Sequence, residues 1–80
     1  MDDALELQVR QVAADVFNLP LKTVTVQTSP QSVEGWDSVQ HLNFVLALEE
    51  AMAIQLEPED IEQIRSVGGA VDVVRKKRGQ

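Results

Sequence analysis

The sequence predicts an all-α fold, a small four-helix bundle with a long first loop. Three observations lead there. The chain has 80 residues, so its core is small and its packing must be economical, which favours a helical bundle. Apolar residues make up 44% of it, with Phe17, Trp36 and Phe44 as the only aromatics, which is enough for a globular core built mostly from aliphatic side chains. Apolar residues recur at helical spacing, and the one alternating run, Thr23-Val24-Thr25-Val26, has no partner strand in sight. This length supports a single domain, expected to span residues 1–80.

The first helix is expected over residues 4–18. Asp3 and Glu6 have capping-box spacing, and Leu5, Val9, Val12 and Val16 share a face. Asn18 and Pro20 end it, because a residue before proline avoids the α region. Residues 19–36 show no sustained helical pattern. They read as an extended loop with Val24 and Val26 tucked inward and a turn at Ser29-Pro30-Gln31-Ser32. A loop of that length in so small a domain often carries function. The second helix begins at Asp37 or Ser38 and runs to about Met52. Phe44, Leu48, Met52, Val45 and Leu42 form a contiguous arc sufficient for a core face. Val39 and Leu46 extend the arc beyond what one-sided burial needs. Either neighbours pack the helix on two sides, or Val39 and Leu46 form an exposed docking strip. Glu57-Pro58-Glu59-Asp60 starts a short third helix, with proline at its first position and acids in its first turn. Ile61 and Ile64 then face the core. Ser66 caps a fourth helix in which Val67, Ala70, Val71 and Val74 share a face. Gly68 and Gly69 weaken that helix locally, and close approach of a neighbouring helix is the compensation to expect.

Composition removes several function classes. The chain has no cysteine and one histidine, His41. Disulfides, cysteine metal sites and thiol chemistry of the chain's own are excluded, and no metal site is expected. The opening MDDALELQVR lacks the basic and apolar regions of a signal peptide, and no apolar run reaches membrane-spanning length. The expected location is cytoplasmic, without membrane insertion. Net charge is −6, with Arg75, Lys76, Lys77 and Arg78 gathered at one end. An acidic body repels nucleic acid and suits basic protein surfaces. The basic cluster reads as cations complementing the dipole at a helix C-terminus.

The stretch Gly35-Trp36-Asp37-Ser38-Val39-Gln40 joins the loop to the second helix. Asp37 as N-cap and Gln40 three residues on make a capping box. Ser38 is left at the first helical position without a necessary structural task. There its hydroxyl meets unpaired N–H groups and the positive end of the helix dipole, which favour a phosphate. Gly35 permits a sharp turn into the helix. On these residues alone, a simple helix cap and an attachment point both remain open.

With this motif in its context, the chain resembles the acyl carrier protein family. Those proteins are small, mostly acidic and four-helical, with a long first loop. They carry a phosphopantetheine arm on the serine of an Asp-Ser-Leu-like motif at the start of the second helix. The match here is Asp37-Ser38-Val39, supported by Leu42, Val45 and Ala47-Leu48-Glu49-Glu50. The resemblance covers essentially the whole chain in length, helix order and loop placement. It implies that Ser38 Oγ is the covalent attachment point for 4'-phosphopantetheine, with Asp37 supporting the motif. A phosphopantetheinyl transferase would supply the arm from coenzyme A with a divalent cation. The arm's thiol would hold acyl groups as thioesters, so the reactive sulfur is imported. The resemblance further implies a carrier and not an enzyme. Acyl-loading and acyl-using enzymes would dock their basic patches on the second helix, with Val39, Leu46, Glu49 and Glu50 as the matching contacts. The expected state is a monomer.

One departure stands out. Fatty-acid carriers usually have acids just after the motif, where this chain has Gln40, His41 and Asn43. That leans toward a specialised pathway, such as polyketide, nonribosomal peptide, lipid or surface-polysaccharide tailoring. His41 falls on the apolar side of the helix and is expected to pack or to contact a loop. The alternatives to a stand-alone acyl carrier are an aminoacyl or peptidyl carrier and a helical interaction module without a prosthetic group. A hydrolase using Ser38 lacks a convincing base and oxyanion site.

Overall fold

The computed structural model describes residues 3–78. Among the described residues there are four helices: α1 at Asp3–Phe17, α2 at Ser38–Met52, α3 at Pro58–Glu62 and α4 at Val67–Lys77. Among the described residues there is no strand. A single 3-10 turn at Leu21–Thr23 interrupts the long first loop. Helix α1 packs against both α2 and α4. The three enclose a core whose largest fully buried side chains are Val9, Val24, Phe44, Leu48, Val67 and Val74.

The first helix begins and ends one residue earlier than its sequence pattern suggests. The N-cap expected of Asp3 lies outside the described side chains. The buried stripe runs Val9, Ala13, Phe17, while Leu5, Val12 and Val16 are partly buried beside it. Asn18 adopts the left-handed conformation at φ 57°, and the Leu19 N–H reaches back to the Ala14 carbonyl at 2.9 Å. That is the Schellman closure, which satisfies a carbonyl the helix end would otherwise leave unpaired.

The loop is fixed from below. Arg10 Nε donates to the Val24 carbonyl at 2.8 Å, and Val24 is fully buried. Thr28 is buried, and its Oγ1 accepts from the Thr25 N–H at 2.9 Å. Val26 departs from the expected inward position: it is exposed, because the turn at residues 25–28 faces it to solvent while its carbonyl faces α4. That carbonyl accepts from the Gly68 N–H, and the Thr28 carbonyl from the Val67 N–H, both at 2.8 Å. With Ser66 Oγ accepting from Gly69 N at 3.0 Å, three otherwise unpaired donors of α4 are satisfied. Gly68 therefore admits the close approach of a loop and not of a helix. A Cβ there would sit 2.9 Å from the Val26 carbonyl oxygen.

The second helix departs from its sequence reading at Leu42, which is exposed rather than in the core. On the helical wheel Leu42 lies about 60° past Val45, and the packed face ends at Val45. The buried residues of α2 are Phe44, Val45, Leu48 and Met52. Helix α3 spans five residues, with Ile61 partly buried against the core and Ile64 buried just past its end. Lys77, in the last turn of α4, reaches Asp60 of α3 at 2.8 Å. The basic end thus joins two helices as well as complementing the dipole of its own. No described helix is long and apolar enough to cross a membrane.

Candidate functional site

The entry to α2 is held on three sides. Asp37 is extended at φ −102°, and its Oδ1 accepts from the Gln40 N–H at 2.9 Å. This is the N-cap the sequence predicts. The reciprocal half of the capping box is not made. Gln40 Nε2 donates instead to the Val16 carbonyl at 2.9 Å, and Gln40 Oε1 accepts from Asn43 Nδ2 at 2.7 Å. Gln40 is thereby spent on tying the start of α2 to the end of α1.

The three aromatics of the chain meet beneath this entry. Phe17 and Trp36 have ring centroids 4.5 Å apart, Phe17 and Phe44 5.5 Å, and Trp36 and Phe44 5.6 Å in an edge-to-face arrangement. Such pairs add to the burial of apolar area. Trp36 is 5% exposed, so the residue two before Ser38 is anchored in the core. Its indole N–H donates to His41 Nδ1 at 3.0 Å, and His41 Nε2 faces the Ile61 carbonyl at 3.4 Å. An indole nitrogen can only donate. His41 Nδ1 therefore accepts, which leaves the imidazole proton on Nε2, where it points at Ile61. His41 thus links the loop, α2 and the end of α3, as a packing residue and not as a free base. The sequence singled out Asp37, Ser38 and His41 but not Trp36. The signal available was its position: a large aromatic immediately before an N-cap that enters an apolar-faced helix.

Ser38 stands on this frame, at the first position of α2, and is exposed. Among the described residues none hydrogen-bonds its Oγ, and nothing accepts from the Ser38 or Val39 N–H groups. A hydroxyl in this position is sterically open and lies at the positive pole of a 15-residue helix. Beside it lies an open groove of about 580 Å³, lined by Pro30, Trp36, Asp37, Ser38, His41 and Leu42.

On the solvent side of α2, Val39 is 67%, Leu42 55% and Leu46 62% exposed. Their spacing at i, i+3 and i+7 forms one apolar stripe, continued by exposed Glu50. The first turn of α2 holds no acid. Glu49 is half-buried, and its Oε2 accepts from the Leu56 N–H at 2.8 Å. One of the two acids read as partner contacts therefore also holds the loop between α2 and α3. Among the described residues, no group of three or more His, Cys, Asp or Glu could hold a metal ion.

Residues 7–74 match the family model described as a phosphopantetheine attachment site. The solution NMR structure of holo acyl carrier protein from Geobacter metallireducens is similar, with a TM-score of 0.79 and 29% identity, over 98% of this chain and 87% of that one.

Proposed function

Because the chain belongs to the phosphopantetheine-attachment family of acyl carrier proteins, a family of carriers and not catalysts, we propose that Ser38 is the residue bearing its phosphopantetheine arm. We further propose that the exposed stripe of α2 is where partner enzymes dock. The observation that carries the first reading is the unpartnered, exposed Ser38 Oγ at the start of α2, standing on a frame fixed by Trp36, Asp37 and Gln40. The residues present fit the group. Nothing encloses the hydroxyl, the free Ser38 and Val39 N–H groups favour an attached phosphate, and the neighbouring groove leaves room for a flexible arm.

When bound, the arm supplies a terminal thiol that carries acyl cargo as a thioester. The chain's own residues have other tasks. Asp37 caps α2 and so fixes the direction in which Ser38 leaves the surface. Trp36 and His41 hold the loop that precedes it. A phosphopantetheinyl transferase, with a divalent cation, would join Ser38 Oγ to the arm's phosphate as a phosphodiester, breaking the pyrophosphate bond of coenzyme A and releasing adenosine 3',5'-bisphosphate and the hydroxyl proton.

Partners of carriers in general include phosphopantetheinyl transferases and acyl-handling enzymes. On this chain Val39 and Leu46 offer the apolar contact, with Glu50 and the outward part of Glu49 as acidic rim. Rim charges of this kind set association rate and specificity more than affinity. The absence of acids at Gln40, His41 and Asn43, just after the motif, favours a specialised pathway over primary fatty acid synthesis. All three make internal hydrogen bonds, Gln40 to the Val16 carbonyl, His41 with Trp36 and Asn43 with Gln40.

The test is direct. The chain is incubated with coenzyme A and a promiscuous phosphopantetheinyl transferase, and its intact mass is taken. A gain of one phosphopantetheinyl unit is expected. An unchanged mass would favour a helical interaction module without a prosthetic group.

A further inference from the structure

The groove beside Ser38 has walls that the attachment itself does not require. Leu42 lies one helical turn beyond Ser38, at i+4 on the same face, and is 55% exposed although it is a large aliphatic residue. Pro30 and Trp36 form other parts of the same wall. The polar atoms around the groove are largely engaged elsewhere. The Trp36 indole N–H is given to His41, the imidazole bridges to Ile61, and Asp37 Oδ1 accepts from Gln40 N. What remains facing the groove is mostly apolar surface, with the Asp37 carboxylate at its edge.

We infer that this groove is the resting site of the neutral pantoyl part of the arm on its own carrier, with Trp36 and Leu42 as the contacts for its two geminal methyl groups. The inference rests on Ser38 as the attachment residue and goes beyond it, since an arm could equally project into solvent. The occupant follows from placement and chemistry. Ser38 is itself part of the groove wall, so whatever it carries begins there. The segment next to the phosphate is uncharged and bears a quaternary carbon with two methyls, matching an apolar surface short of free donors. The tether removes the need for strong binding, because a group on a short flexible link is held at an effective concentration on the order of millimolar. Weak apolar contact then suffices to dock the arm, and an enzyme can withdraw it at small cost.

The experiment uses the full chain, loaded enzymatically with the arm and checked by intact mass. Nuclear Overhauser contacts are measured between the geminal methyls and the ring protons of Trp36, the only tryptophan in the chain, and the methyls of Leu42. Cross-peaks to both residues are expected. In a loaded Leu42→Asn variant, whose fold is checked by circular dichroism, the Trp36 cross-peaks are expected to be lost. Full loading without cross-peaks to Trp36 would overturn the groove while leaving Ser38 as the attachment residue. Trp36 cross-peaks undiminished in Leu42→Asn would overturn it as well. A chain that gains no mass would remove the attachment reading first, and the groove's occupant with it.

Discussion

Ala53 holds φ 54° and ψ 47° just past the end of α2, where the Ile54 N–H closes back onto the Glu49 carbonyl at 3.1 Å. This is a position that glycine fills without strain and that an L side chain occupies at a cost. Ala53 is exposed, so its side chain offers little burial in return. Ala53→Gly is expected to raise stability by about 0.5–1 kcal/mol, read as a higher urea midpoint at unchanged slope. A lower midpoint would show that the chain end of α2 is held by contacts of the Ala53 methyl. Asn18 closes α1 in the same way, and there the residue is one that tolerates the conformation better. Sequence signals foretold the stop at Asn18, because a proline follows it. The stop at Ala53 has no such mark, since alanine is the best helix former and nothing local tells it to leave the helix.

Helix α2 serves two faces, and the division was only half legible. Periodicity identified Phe44, Val45, Leu48 and Met52 correctly, because they lie at the centre of the apolar arc. It could not locate the arc's edge, and Leu42 fell on the wrong side. An aliphatic stripe 100° wide and one 200° wide differ only in what packs against them, which a single helix does not encode. The two faces give opposite expectations. Phe44→Ala should cost about 3–5 kcal/mol, by lost burial and an unfilled cavity beside Phe17 and Trp36. Leu46→Ala should stay within about 0.5 kcal/mol of the parent and slow acyl transfer by a partner enzyme. Thermal melts with a transfer assay separate these outcomes, and a large loss of helicity in Leu46→Ala would place Leu46 in the core. Capping logic fared similarly at this scale. It found Asp37, Ser66 and the start of α3, but it gave Gln40 a local partner. The actual partner, the Val16 carbonyl, is 24 residues away in sequence and invisible to any short-range rule.

Across the whole molecule, charge couples the last helix to the third. Lys77 beside Asp60, with help from the Glu57 N–H, holds the Asp60 carboxyl below its ordinary range, and Asp60 in turn raises Lys77. In the unfolded chain Asp60 takes up a proton near pH 4, and in the folded chain only at lower pH. The unfolded state therefore binds more protons in that interval. The stabilisation is fully present above it and is lost as pH falls through the folded value. The Lys77 side of the pair is present at neutral pH and lost only as pH rises through its raised value. Stability measured from pH 6 down to 2 should fall less steeply in Asp60→Asn than in the parent, and equal slopes would show the pair to be unimportant. The bundle, its helix order and the place of Ser38 were legible because helical period and capping chemistry are local. The long loop was legible in its place, its inward Val24 and its turn at residues 29–32, but not in the ties that hold it. Those come from Arg10 and from the first N–H groups of α4, both remote in sequence. The claim on which the functional account depends is that a single hydroxyl carries the arm. Its most direct measurement is fragmentation of the enzymatically loaded chain, in which the added mass should sit on Ser38 and be absent from a Ser38→Ala variant that remains folded. Added mass on any other residue, or retained in Ser38→Ala, would contradict it.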